Sequence, residues 1–262
     1  MKLHRINALT IRHLYLYKRS LPRLMDIFFW PVVSILMWGF LSVYLGKISL
    51  DNVNIVSILL GSIILWELMQ RMQNAVAITF LEDVWERNFL NLFVTPLRVS
   101  EFLFSTVLLG VIRTTAVLGV MALLAILLYH FNIFSLGFAL LPFILILLIF
   151  GFSLAIFNMA IILRFGTSAQ VLAFGLVFLV QPFSAVFYPV SAIPPAFSWI
   201  SYFIPSTYVF EGIRFTFATG DVAWKYMANG LGVALIYLVV MLWFFVKMFA
   251  KVKKEGRLLK LD

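Results

Sequence analysis

Apolar runs of twenty or so residues alternate along this chain with shorter polar intervals. Six such runs are predicted as membrane spans, at about 26–46, 55–80, 101–129, 136–163, 168–188 and 225–248. Each is near the roughly 20 residues that a helix needs to cross the hydrocarbon. The basic residues set the orientation. With the N-terminus inside, fifteen Lys and Arg fall in the cytoplasmic segments, and only Lys47, Arg214 and Lys225 lie outside. That asymmetry matches the positive-inside rule with six spans and both termini cytoplasmic.

The longest central interval that is too polar for a bilayer is 81–102, LEDVWERNFLNLFVTPLRVSEF. Leu81, Trp85, Phe89 and Leu92 recur at helical spacing and predict a short amphipathic helix in the loop 82–97. Asp83 is placed to cap its start, with Glu86 three residues on as in a capping box. Pro96 ends it, because the residue before a proline avoids the α region. Periodicity leaves two readings open: a helix lying on lipid, or a docking surface for a soluble partner.

Two further segments are amphipathic without being spans. In residues 1–24, Leu3, Ile6, Leu14, Tyr17 and Leu21 share one face, and Arg5, Arg12 and Arg19 repeat every seven residues on another. This is the pattern of a basic interfacial helix, or of flanking charge that only sets orientation. The segment 189–224 lies outside, yet it is apolar, aromatic and broken by Pro189, Pro194, Pro195 and Pro205. Prolines at 195 and 205 suit helix starts. Two short helices, about 195–203 and 206–217, are predicted as a re-entrant hairpin in the outer leaflet. A surface loop with an aromatic belt is the other reading.

Composition confirms the membrane class. Of 262 residues, 63% are hydrophobic and 12% are charged, against about 45–50% and about 25% in soluble domains. Cysteine is absent, which excludes disulfides and thiolate metal sites. The first 24 residues carry scattered basic residues and no cleavage-site pattern, so no cleavable signal peptide is expected. The net charge of +9 points to anionic lipid headgroups. Nucleic acid is not expected as a partner, because the basic residues flank spans and form no long exposed stripe. His4, His13 and His130 lack metal-ligand spacing, and no phosphate-binding loop or hydrolase motif occurs. No catalytic residue, cofactor or metal is therefore predicted.

The second span is the exception to this bland chemistry. Glu67, Gln70, Arg71 and Asn74 fall at i, i+3, i+4 and i+7 on one face, with Glu67 about 18 Å along the helix from Ile55. Arg113 lies at similar depth in the third span. Charges at that depth are costly and face protein or water. They form either a buried ion-pair cluster that fixes packing, or the lining of a translocation path or dimer seam.

Three stretches together carry a family resemblance: the basic N-terminal helix, the loop WERNFLNLFVTPLRVSEF, and VFYPVSAIPPAFSWISYFIPSTYVFEGIR before the last span. The last of these ends in Glu211-Gly212-Ile213-Arg214. In this order on a six-span chain they resemble the membrane subunit of a type-2 ABC transporter, the group that includes polysaccharide, nodulation-factor and drug exporters. Where that family often has Asn-Pro in the proline-rich stretch, this chain has Ile204-Pro205.

The resemblance implies an all-α permease in which residues 1–262 form a single transmembrane domain. It would work in the plasma membrane as a homodimer, with two separate ATPase subunits that bind the ATP. The implied ATPase contact is Trp85, Glu86, Phe89 and Leu92 on the coupling helix. Phe183, Phe187, Tyr188, Pro189, Pro194, Pro195 and Phe197 would form an outer gate. A membrane-integral enzyme acting on lipid, or a non-transporting assembly or sensor protein, are the alternatives from other classes.

Overall fold

A computed structural model describes residues 2–48, 55–85 and 95–255. Among them there is no strand. The helices are α1 (Leu3–Arg19), α2 (Leu21–Ile48), α3 (Ile55–Trp85), α4 (Val99–Tyr129), α5 (Leu140–Phe165), α6 (Gln170–Val180), α7 (Pro195–Ser201), α8 (Pro205–Thr219) and α9 (Trp224–Lys254). Only Ser20 separates α1 from α2. Its backbone is extended and its N–H donates to the Tyr17 carbonyl. Gly220 ends α8 at φ 78°, in the left-handed region that costs a glycine little.

Five helices are long and apolar enough to cross a membrane: 23–48, α3, 99–129, 133–165 and α9. The expected fifth span, 168–188, departs from this. It forms α6, a helix of 11 residues, which covers about 16 Å of the roughly 30 Å hydrocarbon. A 3-10 turn with Pro182 then breaks it, at Gln181–Phe183, because proline supplies no N–H for a continuing helix.

The coupling loop also differs from expectation. α3 runs unbroken through Asp83 to Trp85, so Asp83 caps no helix start. The cap geometry occurs later: Arg98 is the N-cap of α4, and Glu101 at N3 accepts its backbone N–H at 3.1 Å. Residues 86–94 lie outside the described residues.

α3 is the hub of the bundle, buried along most of its length between α2, α4 and α5. It runs antiparallel to α4. The Phe80 and Phe102 rings meet at 6.2 Å, and eight residues away in each helix Gly110 faces Met72. α5 presses on α3 through Gly151, where an added Cβ would lie 2.6 Å from the Met69 carbonyl oxygen. Only a glycine allows that approach.

α5 and α9 run side by side in the same direction. Ile146 reaches Gly230, Phe150 meets Tyr237 at 5.3 Å, and Phe157 meets Phe244 at 5.8 Å. Parallel neighbours need a return crossing between them, and residues 166–223 supply it in pieces. α6 rises partway. The following turn places Phe187 flat against Trp38 of α2, with ring centroids 3.9 Å apart. Trp38 is about 15 Å from the C-terminal end of α2. α8 then completes the return among α3, α5 and α9. Its Phe210 sits by Trp66 at 6.3 Å, and its Phe217 faces Gly61.

Gly151→Leu should therefore force α5 off α3 and lower the melting temperature, by an overpacking penalty of about 1–3 kcal/mol. Gly119→Ala is the control, since nothing lies within 4 Å of an added Cβ there. Equal melting temperatures for the two variants would refute the close-packing account.

Candidate functional site

The loop between α3 and α4 is held at both stems by one helix, α1. On the incoming stem, Arg12 Nη2 donates to Asp83 Oδ1 at 2.9 Å, and His13 Nε2 lies 3.8 Å from Asp83 Oδ2. Arg23, at the start of α2, pairs with Glu82 at 3.1 Å. On the outgoing stem, Glu101 accepts the backbone N–H of Lys2 at 2.8 Å and lies 3.5 Å from Arg5. Arg5 also donates to the Pro96 carbonyl. Asp83 and Glu101 are each 1% exposed at the side chain. Charges so buried are tolerated only when paired and hydrogen-bonded.

This arrangement changes the reading of α1. Its buried face is Ile6, Leu9, Thr10, His13 and Tyr17, while Leu3, Leu14 and Leu21 are exposed. The expected apolar face is thus rotated. The helix packs on protein because α4 and the stem carboxylates offer it both apolar and ionic partners. Leu9 joins a core with Met72, Val76, Phe80 and Phe102. Burial pushes the His13 imidazole below its ordinary value, with the Asp83 carboxylate opposing and the Arg12 and Arg23 charges reinforcing the shift.

Of the residues assigned to the ATPase contact, Trp85 ends α3 and is half exposed. Glu86, Phe89 and Leu92 lie outside the described residues. Within the bundle, Glu67 Oε2 and Arg71 Nε are 3.2 Å apart and both residues are buried. Gln70 and Asn74, on the same face, are half-buried. The Arg113 guanidinium stands 4.3 Å from the centre of the Tyr17 ring of α1.

The residues assigned to an outer gate are spread over the turn after α6 and the start of α7, and Phe183 and Phe187 pack against the same core. Phe187 is taken up by Trp38. Phe183 and Phe197 approach at 6.4 Å. The Tyr188 hydroxyl donates to Pro182 O at 2.6 Å. Pro189 precedes a 3-10 turn, and Pro194 and Pro195 cap and start α7. What fixes this turn is the Glu211-Gly212-Ile213-Arg214 stretch of α8. Arg214 Nη2 donates to the carbonyls of Ala185, Val186 and Tyr188, the last two at 3.2 and 2.8 Å. Glu211 accepts the Val190 N–H at 2.8 Å and pairs with Arg214 at 3.3 Å. Gly212 has no side chain because Phe143 fills the space. Ala185, held at φ 54°, is a strained non-glycine position under this clamp.

Sequence reasoning found the loop, the E-G-x-R stretch and the Glu67–Arg71 pair. It missed Arg12, His13 and Glu101 as partners. The usable signal was charge complementarity: a basic segment at 2–23 and three carboxylates at 82, 83 and 101. Among the described residues no group of His, Cys, Asp or Glu is arranged to hold a metal ion.

The buried His13 makes α1 sensitive to acid. Its folded-state pKa lies below the unfolded value of about 6.5, so below that pH the unfolded state binds more protons and stability falls. Thermal stability should drop between pH 7 and pH 5 in the parent chain and drop less in His13→Gln. Identical pH profiles would exclude His13 as the titrating group.

A family model described as ABC-2 type transporter matches residues 4–218, from the start of α1 almost to the end of α8. No curated protein matches the chain. The match takes in the tied loop, the central hub and the Arg214 clamp together. This multi-pass membrane protein belongs to the ABC-2 type transporter family and is a membrane subunit of a type-2 ABC transporter.

Proposed function

We propose that this chain is one of two identical permeases of an ATP-driven exporter, with an ATPase subunit docked beneath each copy. Both termini would be cytoplasmic in the plasma membrane. Five long helices make single crossings, and α6 with α8 makes the sixth. The α7–α8 hairpin, expected as a separate re-entrant element, thereby supplies part of that crossing. ATP is bound and hydrolysed in the partner, and this subunit supplies the path, between the second and fifth crossings of the two copies.

The observation that carries this reading is the double tie of the loop at 86–94. Asp83 before it and Pro96 and Glu101 after it are all bonded to α1. Stems held this way cannot move independently of α1. A push on the loop moves α1, α3 and α4 together, which is what a coupling element needs. Trp85 at its entrance is exposed, and aromatics tend to dominate interface energy. Trp85→Ala with Phe89→Ala should reduce co-purification of the ATPase at least about tenfold, since one hot-spot aromatic is worth about 2 kcal/mol. The permease itself should keep its melting temperature. Undiminished co-purification and transport would end the coupling assignment.

The ion pair inside α3 separates two uses of the bundle interior. Removing one member of a buried pair leaves an unpaired charge and costs about 3–5 kcal/mol. Glu67→Gln with Arg71→Met removes both and should recover most of that stability. If the face made by Glu67, Gln70, Arg71 and Asn74 lines the path or the dimer seam, transport stays impaired in the stable double variant. Wild-type transport across several cargos would leave the pair a packing device.

A further inference from the structure

The last third of α9 carries a surface that the permease reading does not use. Trp243, Lys247, Lys251 and Lys254 fall at i, i+4, i+8 and i+11, on one stripe of the helix. All four are exposed. The opposite side of the helix is its buried side, marked by Phe245 and Val252. The Lys247 ammonium lies 3.9 Å from the centre of the Trp243 ring. Among the described residues, no carboxylate pairs with Lys247, Lys251 or Lys254. The nearby Glu255 is held by Arg164 at 2.8 Å. Toward the middle of the helix the same stripe becomes Ile236, Val239 and Val240, at 48–66% exposure.

An exposed apolar strip passing through a tryptophan into three unneutralised ammonium groups has the dimensions of one lipid. We propose that it is a binding site for an anionic phospholipid of the leaflet at the C-terminal end of α9. An acyl chain lies along Ile236, Val239 and Val240. The indole of Trp243 sits at the boundary where amphipathic rings concentrate. The phosphate meets Lys247, with Lys251 and Lys254 one and two turns beyond. A second copy of the chain fits this stripe poorly. A two-fold interface brings the same patch of both copies together, and copies oriented alike in one membrane would set the two lysine clusters at the same depth, which is repulsive. The site goes beyond the transport reading and requires only that the chain spans a membrane.

The test uses the purified full chain without any ATPase. Native mass spectrometry from equimolar phosphatidylglycerol and phosphatidylcholine reads the ratio of retained lipids. The parent chain should favour phosphatidylglycerol by about fivefold or more, as expected from a lysine near an anionic surface. Lys247→Gln, Lys251→Gln, Lys254→Gln should bring the ratio close to parity at an unchanged melting temperature. A control with the same loss of charge, Lys2→Gln, Lys18→Gln, Lys225→Gln, should keep the preference. Equal loss in both triple variants would reduce the effect to net charge and overturn the site, as would no loss in the first. Soluble glycerol 1-phosphate should compete poorly. Full competition would mean a bare phosphate site, with no lipid recognised. Efficient Cys–Cys cross-linking between copies carrying Trp243→Cys would assign the stripe to a second chain instead.

Discussion

A helix enclosed by other helices in an apolar phase has no water to which it can turn its polar groups. α3 is in that position, and the rest of the bundle answers to it. Its mid-depth carboxylate is neutralised one turn away by Arg71. Its two terminal carboxylates are met by Arg12 of α1 and Arg23 at the start of α2. α1 is thereby recruited to protein by the ionic needs of α3 and α4 as much as by its own apolar face. The cost of leaving Asp83 and Glu101 buried and unpaired is what couples an N-terminal segment to a loop some eighty residues later in the chain.

The same reasoning applies at the other end of the bundle. Irregular backbone at membrane depth needs partners from protein. Arg214 provides them for the turn after α6 by gathering carbonyls that no helix satisfies. Guanidinium suits this work, since its several fixed donors spread over neighbouring acceptors. Glu211 holds the guanidinium in place and takes up the Val190 amide. A short charged stretch on α8 thus lets a span stop halfway and turn.

The apolar runs made the five long helices legible, because length and hydropathy alone decide that much. The prolines at 195 and 205 placed the starts of α7 and α8 correctly. The Glu67–Arg71 contact followed from i, i+4 spacing. What could not be read was any feature fixed by non-local partners. Asp83 has the local character of a helix cap, and only the approach of Arg12 and His13 makes it an ion-pair acceptor. The apolar face of α1 was misplaced because Leu3, Leu14 and Leu21 are hydrophobic enough for lipid, whereas the contacts with α3 and α4 select Ile6, Leu9, His13 and Tyr17. The stretch 168–188 is apolar enough for a full crossing. Its shortening depends on Pro182 and on an arginine more than thirty residues downstream.

The parallel pairing of α5 with α9 has a consequence during synthesis. Phe157 emerges from the ribosome 87 residues ahead of its partner Phe244. At about 5–20 residues per second, the face of α5 stays open to lipid for roughly 4–17 seconds. Gly230 and Tyr237 close it only when the last helix is inserted. The C-terminal helix is therefore the keystone of biogenesis, and a ribosome stalled within 166–223 leaves an unfinished bundle with its most apolar seam exposed to the insertion machinery.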